Sequence, residues 1–68
     1  MQTFIQIDPQ VMGGTPVFPG TRVPIATLID YLEAGESIDG FLEGFPSVGR
    51  DQVIGFLEEV KEKTLAAA

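Results

Sequence analysis

The stretch Pro16-Val17-Phe18-Pro19-Gly20-Thr21-Arg22-Val23-Pro24 divides the chain into two parts of different character. Four of the five prolines lie between Pro9 and Pro24, whereas apolar residues recur at helical spacing after Pro24. The tetrapeptide 18–21 has Pro19 and Gly20 at its two central positions. This pair predicts a type II turn, which requires a positive φ at the glycine. We therefore expect a small β-hairpin around this turn.

The residues before the turn are predicted to complete an irregular arm, 1–23. The run 3–7 favours β structure and ends at Asp8-Pro9, while Gly13 and Gly14 are typical turn residues. So small a ribbon has few ladder hydrogen bonds and exposed edges. Since it cannot hide all its apolar side chains, we expect Val17 and Phe18 to contribute to a dimer or partner interface.

Two helices are predicted after the arm. Apolar residues repeat every three or four positions from Pro24, which suits a first helical turn, and Gly35 is placed as the stop. Ser37 is a good N-cap for the second helix, and Pro46 prevents its continuation.

A third helix is predicted to have Asp51 and Gln52 in its first turn and to fray by about Leu65. The predicted fold is therefore mainly α with a small β part. A short N-terminal β-hairpin (1–23) precedes a helix-turn-helix-like bundle of three helices (24–65) and a tail (66–68), in one domain, 1–68. Side chains at core spacing are Phe41, Leu42, Phe45, Phe56 and Leu57.

The size of the chain predicts self-association. It has 68 residues, of which 44% are hydrophobic. At about this size folding buries only roughly 60% of the surface of the unfolded chain, so an isolated subunit is marginally stable. We expect a homo-oligomer, most simply a dimer.

The composition excludes most enzyme classes. Histidine and cysteine are both absent, which removes Cys or Ser-His nucleophiles, the usual general base near neutral pH and thiolate or imidazole zinc sites. We therefore expect no catalytic residue, no metal site and no cofactor. The carboxylates most suggestive of catalysis are at positions predicted to be solvated helix faces: Asp30, Glu33, Glu58, Glu59 and Glu62.

The charge balance disfavours nucleic acid. Ten acidic residues face four basic ones, for a net charge of −6, and affinity for a polyanion comes mainly from Lys and Arg. No run approaches the roughly 18 apolar residues that span a bilayer, and residues 1–4 lack the basic start of a signal peptide. These features favour a cytoplasmic protein that does not engage a membrane.

The spacing of glycines, prolines and one arginine closely resembles the signature of the family known as domain of unknown function 433. The matching segments are Ile7-Asp8-Pro9, Met12-Gly13-Gly14-Thr15-Pro16-Val17, Gly20-Thr21-Arg22-Val23-Pro24, Gly35-Glu36-Ser37-Ile38, Phe45-Pro46 and Asp51-Gln52-Val53. The resemblance implies a small helix-turn-helix-like protein, in many members antitoxin-like, with a PIN-like ribonuclease as partner. Departures from the family pattern are Thr15 in place of a basic residue, Gly49 in place of Thr or Ser, and Gly55 in place of Ala.

Arg22 has two interpretations. It could pair with Asp8 or Asp30 and fix the hairpin on the helices. Alternatively, as the resemblance implies, its guanidinium could reach the acidic, metal-binding centre of a PIN-like nuclease and compete with Mg²⁺. In the second case Thr21 would lie in the same contact.

The sequence thus predicts a non-enzymatic antitoxin-like protein that inhibits a PIN-like ribonuclease. One alternative is a DNA-binding regulator that reads its own operator with Arg50 and Gln52 at the start of the third helix. The glutamates that follow make this helix a weak reader of DNA. The other alternative is a homodimeric interaction module without a toxin.

Overall fold

The computed structural model describes residues 3–66 and contains three α-helices after an irregular N-terminal part. Helix α1 spans Ile25–Glu33, α2 spans Ile38–Gly44 and α3 spans Arg50–Ala66, and a 3₁₀ turn covers Met12–Gly14. The prediction of three helices is confirmed. The predicted tail is shorter than expected because α3 includes residue 66, and the rest of it, 67–68, lies outside the described residues.

The predicted boundary between α1 and α2 is confirmed. Gly35 has a φ of +85°, and the amide of Glu36 donates to the carbonyl of Tyr31 at 2.9 Å. A left-handed glycine with this bond is the Schellman ending, which satisfies carbonyls that the helix leaves open. Ser37 then caps α2, because its hydroxyl accepts from the amide of Gly40 at 3.0 Å.

The predicted N-terminal β-hairpin is wrong. The described residues contain no sheet, and their β contacts are two isolated antiparallel bridges, Gln6–Val17 and Val17–Pro24. The turn itself is closed, since the amide of Phe18 donates to the carbonyl of Val23 at 3.0 Å. The next hydrogen-bonding pair away from the turn is Pro16 with Ile25, and Pro16 has no N–H to donate. The amide of Ile25 bonds the Pro16 carbonyl at 3.0 Å, but no bond can return, so a ladder does not form.

The core has Phe18 at its centre. Its ring centroid lies 6.1 Å from that of Phe41 in α2 and 6.1 Å from that of Phe56 in α3. The buried apolar residues are Val17, Phe18, Val23, Ile25, Leu28, Phe41, Val48, Val53 and Phe56. The predicted core residues Leu42, Phe45 and Leu57 are partly buried against this cluster. The helical core prediction is thus confirmed, whereas the arm contributes far more of the core than the sequence suggested.

Three residues of the arm, Val17, Phe18 and Val23, are buried with the helices. α1 packs on α2 and α2 on α3, but no Cα atoms of α1 and α3 approach within 8 Å. Among the three buried arm residues, Phe18 packs its ring against Phe41 of α2 and Phe56 of α3. None of the helices in residues 3–66 combines the length and the apolar character needed to cross a membrane.

Candidate interaction surface

The turn at residues 18–23 is rigidly built. The Thr21 amide donates to the carbonyl of Phe18 at 3.0 Å, and Gly20 has the predicted positive φ, +74°. The hydroxyl of Thr21 donates to the same carbonyl at 2.7 Å and accepts from the amide of Val23 at 3.1 Å. Both hydrogen-bonding functions of this hydroxyl are therefore used inside the turn, and Thr21 supports its neighbour Arg22.

Gln52 fastens the turn to the start of α3. Its side-chain carbonyl accepts from the amide of Gly49 at 3.0 Å, and its side-chain amide donates to the carbonyl of Pro19 at 2.9 Å. The first bond is half of a capping box, in which the third helical residue reaches back to the N-cap. The three-residue spacing of Gly49 and Gln52 is a sequence signal for this cap. The bond to Pro19 joins residues 33 positions apart and has no such signal.

This contact joins residues that the sequence assigned to two different partners. Arg22 and Thr21 were predicted to contact a protein, and Arg50 and Gln52 to contact DNA. Because Gln52 bonds to Pro19, both pairs flank one tertiary contact. We call residues 19–22 together with 50–52 the turn surface.

Arg22 is exposed on the turn surface. Within residues 3–66 it makes no salt bridge, so the predicted pairing with Asp8 or Asp30 is not formed. Its backbone is held at both neighbours, since Thr21 bonds within the turn and Val23 is buried. The arrangement presents a cation to solvent on a fixed backbone.

Arg50, the second arginine of the turn surface, is paired. Its guanidinium contacts the carboxylate of Asp39 in α2, and the two side chains are 57% and 73% exposed. An ion pair this exposed contributes little to stability. The neighbouring Asp51 is exposed, so the start of α3 presents both signs of charge.

Val17 and Phe18 do not belong to this surface. Both side chains are completely buried. Their predicted exposure at a partner interface is wrong, because the ring of Phe18 packs against Phe41 and Phe56, and the backbone of Val17 is bridged by Gln6 on one side and Pro24 on the other.

A second anchor, which the sequence did not predict, joins the start of the chain to the middle of α3. The carboxylate of Glu59 accepts from the amide of Phe4 at 2.8 Å and from the hydroxyl of Thr3 at 2.8 Å. Lys63 adds an ion pair at 3.2 Å, one turn along the helix. These donors, first the amide of Phe4 and then the hydroxyl of Thr3, lower the pKa of Glu59 below its usual value. The prediction that Glu59 lies on a solvated face is wrong, since its side chain is only 13% exposed.

Gly55 of α3 lies directly under the ring of Phe4 in this second anchor. A Cβ atom at this position would lie 2.4 Å from the ring of Phe4, far inside van der Waals contact. The ring therefore occupies the space that alanine, common here in the family that the sequence resembles, would fill. The glycine that weakens the helix by about 1 kcal/mol relative to alanine makes room for the arm.

An open depression lies between α1 and α2. It is lined by Asp30, Tyr31, Ala34, Glu36, Gly40 and Glu43. Its three carboxylates give it a negative character. Within residues 3–66 no three acidic side chains are grouped closely enough to hold a metal ion.

The comparisons with known proteins agree with the resemblance seen in the sequence. A curated relative, the uncharacterized protein y4eO of Sinorhizobium fredii, is 40% identical over 46 residues. That match covers 68% of this chain and 21% of y4eO, so the chain spans about a fifth of the length of this relative. No solved structure matches the chain. The family model described as "Protein of unknown function (DUF433)" matches residues 5–58, which include the turn surface, and the chain belongs to this family.

Proposed function

We propose that the chain is the antitoxin-like member of a toxin–antitoxin pair and that it binds a small PIN-like ribonuclease through the turn surface. The observation that carries the proposal is the state of Arg22. It is exposed and forms no salt bridge within residues 3–66, although the chain contains ten acidic residues.

The chemistry of a guanidinium suits this role. Its fixed fork of donors pairs with two carboxylate oxygens at once, as the acidic centre of such a nuclease would offer. Because the turn already holds the backbone of Arg22, less conformational entropy is lost when the side chain binds. The net charge of −6 would also steer the chain towards a basic partner surface.

Operator binding has less support. The side-chain amide of Gln52 is already bonded to Gly49 and Pro19, and Arg50 is paired with Asp39. A helix that reads bases needs free donors and acceptors at its start. DNA binding in place of nuclease binding is therefore the contrary result of the experiment that follows.

The test begins with the tagged protein recovered from its native cells. We expect it to co-elute with a small protein whose sequence has the aspartates of a PIN-like nuclease, and the pure pair should show less ribonuclease activity than the nuclease alone. Arg22→Ala should weaken inhibition at least tenfold while leaving the melting temperature unchanged.

Two variants control this experiment. Lys61→Ala removes an exposed positive charge near the other end of α3, about 16 Å along the helix from Arg50, and should inhibit like the wild type. Arg22→Lys keeps the charge without the fork and should give intermediate inhibition. Recovery of operator DNA without a nuclease, or full inhibition by Arg22→Ala, would overturn the proposal.

A further inference from the structure

The contacts of residues 3–7 are with parts of the chain far away in sequence. Thr3 and Phe4 bond to Glu59, and the ring of Phe4 fills the space over Gly55. Gln6 exchanges two backbone bonds with Val17, at 2.8 and 2.9 Å, and its side chain accepts from the amide of Gly20 at 3.0 Å. An identical segment from a second copy of the chain would satisfy every one of these groups in the same geometry.

The connection that folds this segment back is strained. Met12 has a φ of 51°, and among residues 3–66 it alone is a non-glycine residue with positive φ. Such a conformation is unfavourable for a side chain with a Cβ atom. Most of the bonds around it lie inside the connection itself, including Asp8 to Val11 at 2.8 Å and Met12 to Thr15 at 3.3 Å. Within the connection, opening therefore breaks mainly local bonds, and the core contacts that it releases are those of Phe4 and Ile5.

The same connection exposes apolar surface. Ile7 is 66% exposed and Met12 46% exposed. These two residues flank the turn 8–11, which the bond from the amide of Val11 to the carbonyl of Asp8 closes. They would be covered if two such connections ran past each other.

We propose that two copies of the chain exchange residues 3–7, so that Phe4 of each copy packs over Gly55 of the other and bonds to its Glu59. The exchanged contacts are the same within one copy and between two. What changes is the connection, which loses the strain at Met12 and buries apolar surface against its symmetry mate. Strained short hinges favour such exchange, and the two-fold arrangement closes at a dimer.

The connection is long enough for this. Residues 7–16 span at most about 33 Å when extended. The subunit measures 33 × 31 × 19 Å. The segment 3–7 can therefore cross a two-fold axis and reach α3 of a neighbour.

The first measurement is the mass of the full chain in solution by light scattering, over a series of concentrations. We expect a dimer of twice 7.3 kDa. The second is an isotope-filtered NOE experiment on a refolded equimolar mixture of ¹³C-labelled and unlabelled chains. The ring of Phe4 should show NOEs to the Hα of Gly55 between labelled and unlabelled copies. A monomer at all concentrations, or a dimer in which this NOE is confined to one copy, would overturn the proposal.

Variants of the connection give an independent check. Met12→Gly relieves the strain of the closed form, so the dimer should dissociate at about tenfold higher concentration. Gln10→Gly adds the same flexibility at an exposed residue without positive φ and should change this much less. Equal effects of the two changes would show that strain at Met12 does not drive exchange. None of these measurements involves a nuclease, so they stand or fall separately from the proposed function.

Discussion

Two phenylalanines of the non-helical arm pack against α3, and they do so at very different depths. Phe18 is completely buried and its ring lies between those of Phe41 and Phe56. Phe4 is partly exposed and rests on the surface of α3 over Gly55. Phe18 is part of the core that α2 and α3 share, whereas Phe4 covers the outer surface of α3 at Gly55.

This difference predicts unequal contributions of the two rings to stability. Phe18 is fully buried among the aromatic side chains of the core, whereas Phe4 is partly buried and packs against the core from its edge. The same residue type on the same arm is thus part of the core in one place and lies at its margin in the other.

The largest effect is expected from Phe18→Ala. Loss of a fully buried phenylalanine costs about 3–5 kcal/mol, which is comparable to the whole stability of a domain this small. The variant should lack a cooperative unfolding transition in urea followed by circular dichroism. Phe4→Ala removes a side chain that is only partly buried and should cost about 1 kcal/mol. Equal losses of stability would show that the two rings contribute alike to the core.

A smaller effect is expected from Gln52→Ala, which tests how the turn surface is held. The variant leaves the amide of Gly49 and the carbonyl of Pro19 without their partner and should lose about 1–2 kcal/mol in urea unfolding. Gln52→Glu keeps the acceptor for Gly49 and loses the donor to Pro19, so it should lose less. Gln10→Ala, at an exposed position, is the matched control. If Gln52→Ala unfolds like this control, the bond to Pro19 does not stabilise the fold.

Gly55→Ala tests whether the ring of Phe4 occupies the space over this glycine. Alanine raises helix propensity by about 1 kcal/mol, but its Cβ displaces the ring of Phe4. We expect a gain of about 1 kcal/mol when Phe4 is already alanine and a smaller gain, or a loss, when Phe4 is present. A double-mutant cycle by urea unfolding measures the difference. Identical gains in both backgrounds would mean that the ring does not occupy this space.

The smallest effect concerns Glu59 and pH. Because folding lowers its pKa, the unfolded chain binds more protons than the folded one as the pH falls through the range of glutamate titration, near 4.3. The stabilisation is complete above that range and is lost as the pH falls through the lowered pKa of the folded state. Glu59→Gln keeps acceptors for Phe4 and Thr3 but removes the charge, so its stability should fall less steeply below pH 5.

The control for this measurement is Glu58→Gln. The side chain of Glu58 is exposed and makes no hydrogen bond within residues 3–66. The stability of the Glu58→Gln variant in urea should change with pH as that of the wild type does. If Glu59→Gln also follows the wild type, the anchor at Thr3 and Phe4 does not favour the charged carboxylate.

Local features of the fold were predictable from the sequence. The cap at Ser37, the stop at Gly35 and the turn at Gly20 depend on residues at most five positions apart, and all three were confirmed. The arm was misread because its β-favouring composition suggested a ribbon. Its prolines do not supply the amides that a ladder needs.

The candidate surface was only half predictable. Arg22 and Gln52 were both singled out, but for different partners. Their adjacency depends on the bond between Gln52 and Pro19, which joins two distant segments. Glu59 was missed because an amphipathic helix gives the same pattern for a solvated carboxylate and for one that holds a distant amide.

Local sequence signals therefore predict the boundary between α1 and α2 and the start of α3, since caps and turns obey local steric and hydrogen-bonding rules. Only the three-dimensional packing brings Phe18 against Phe41 and Phe56, places Phe4 over Gly55, and leaves Arg22 without a salt bridge within residues 3–66. These outcomes depend on which segments meet in space. Burial and ion pairing depend on contacts between residues far apart in sequence, and such contacts produce no periodic pattern along the chain.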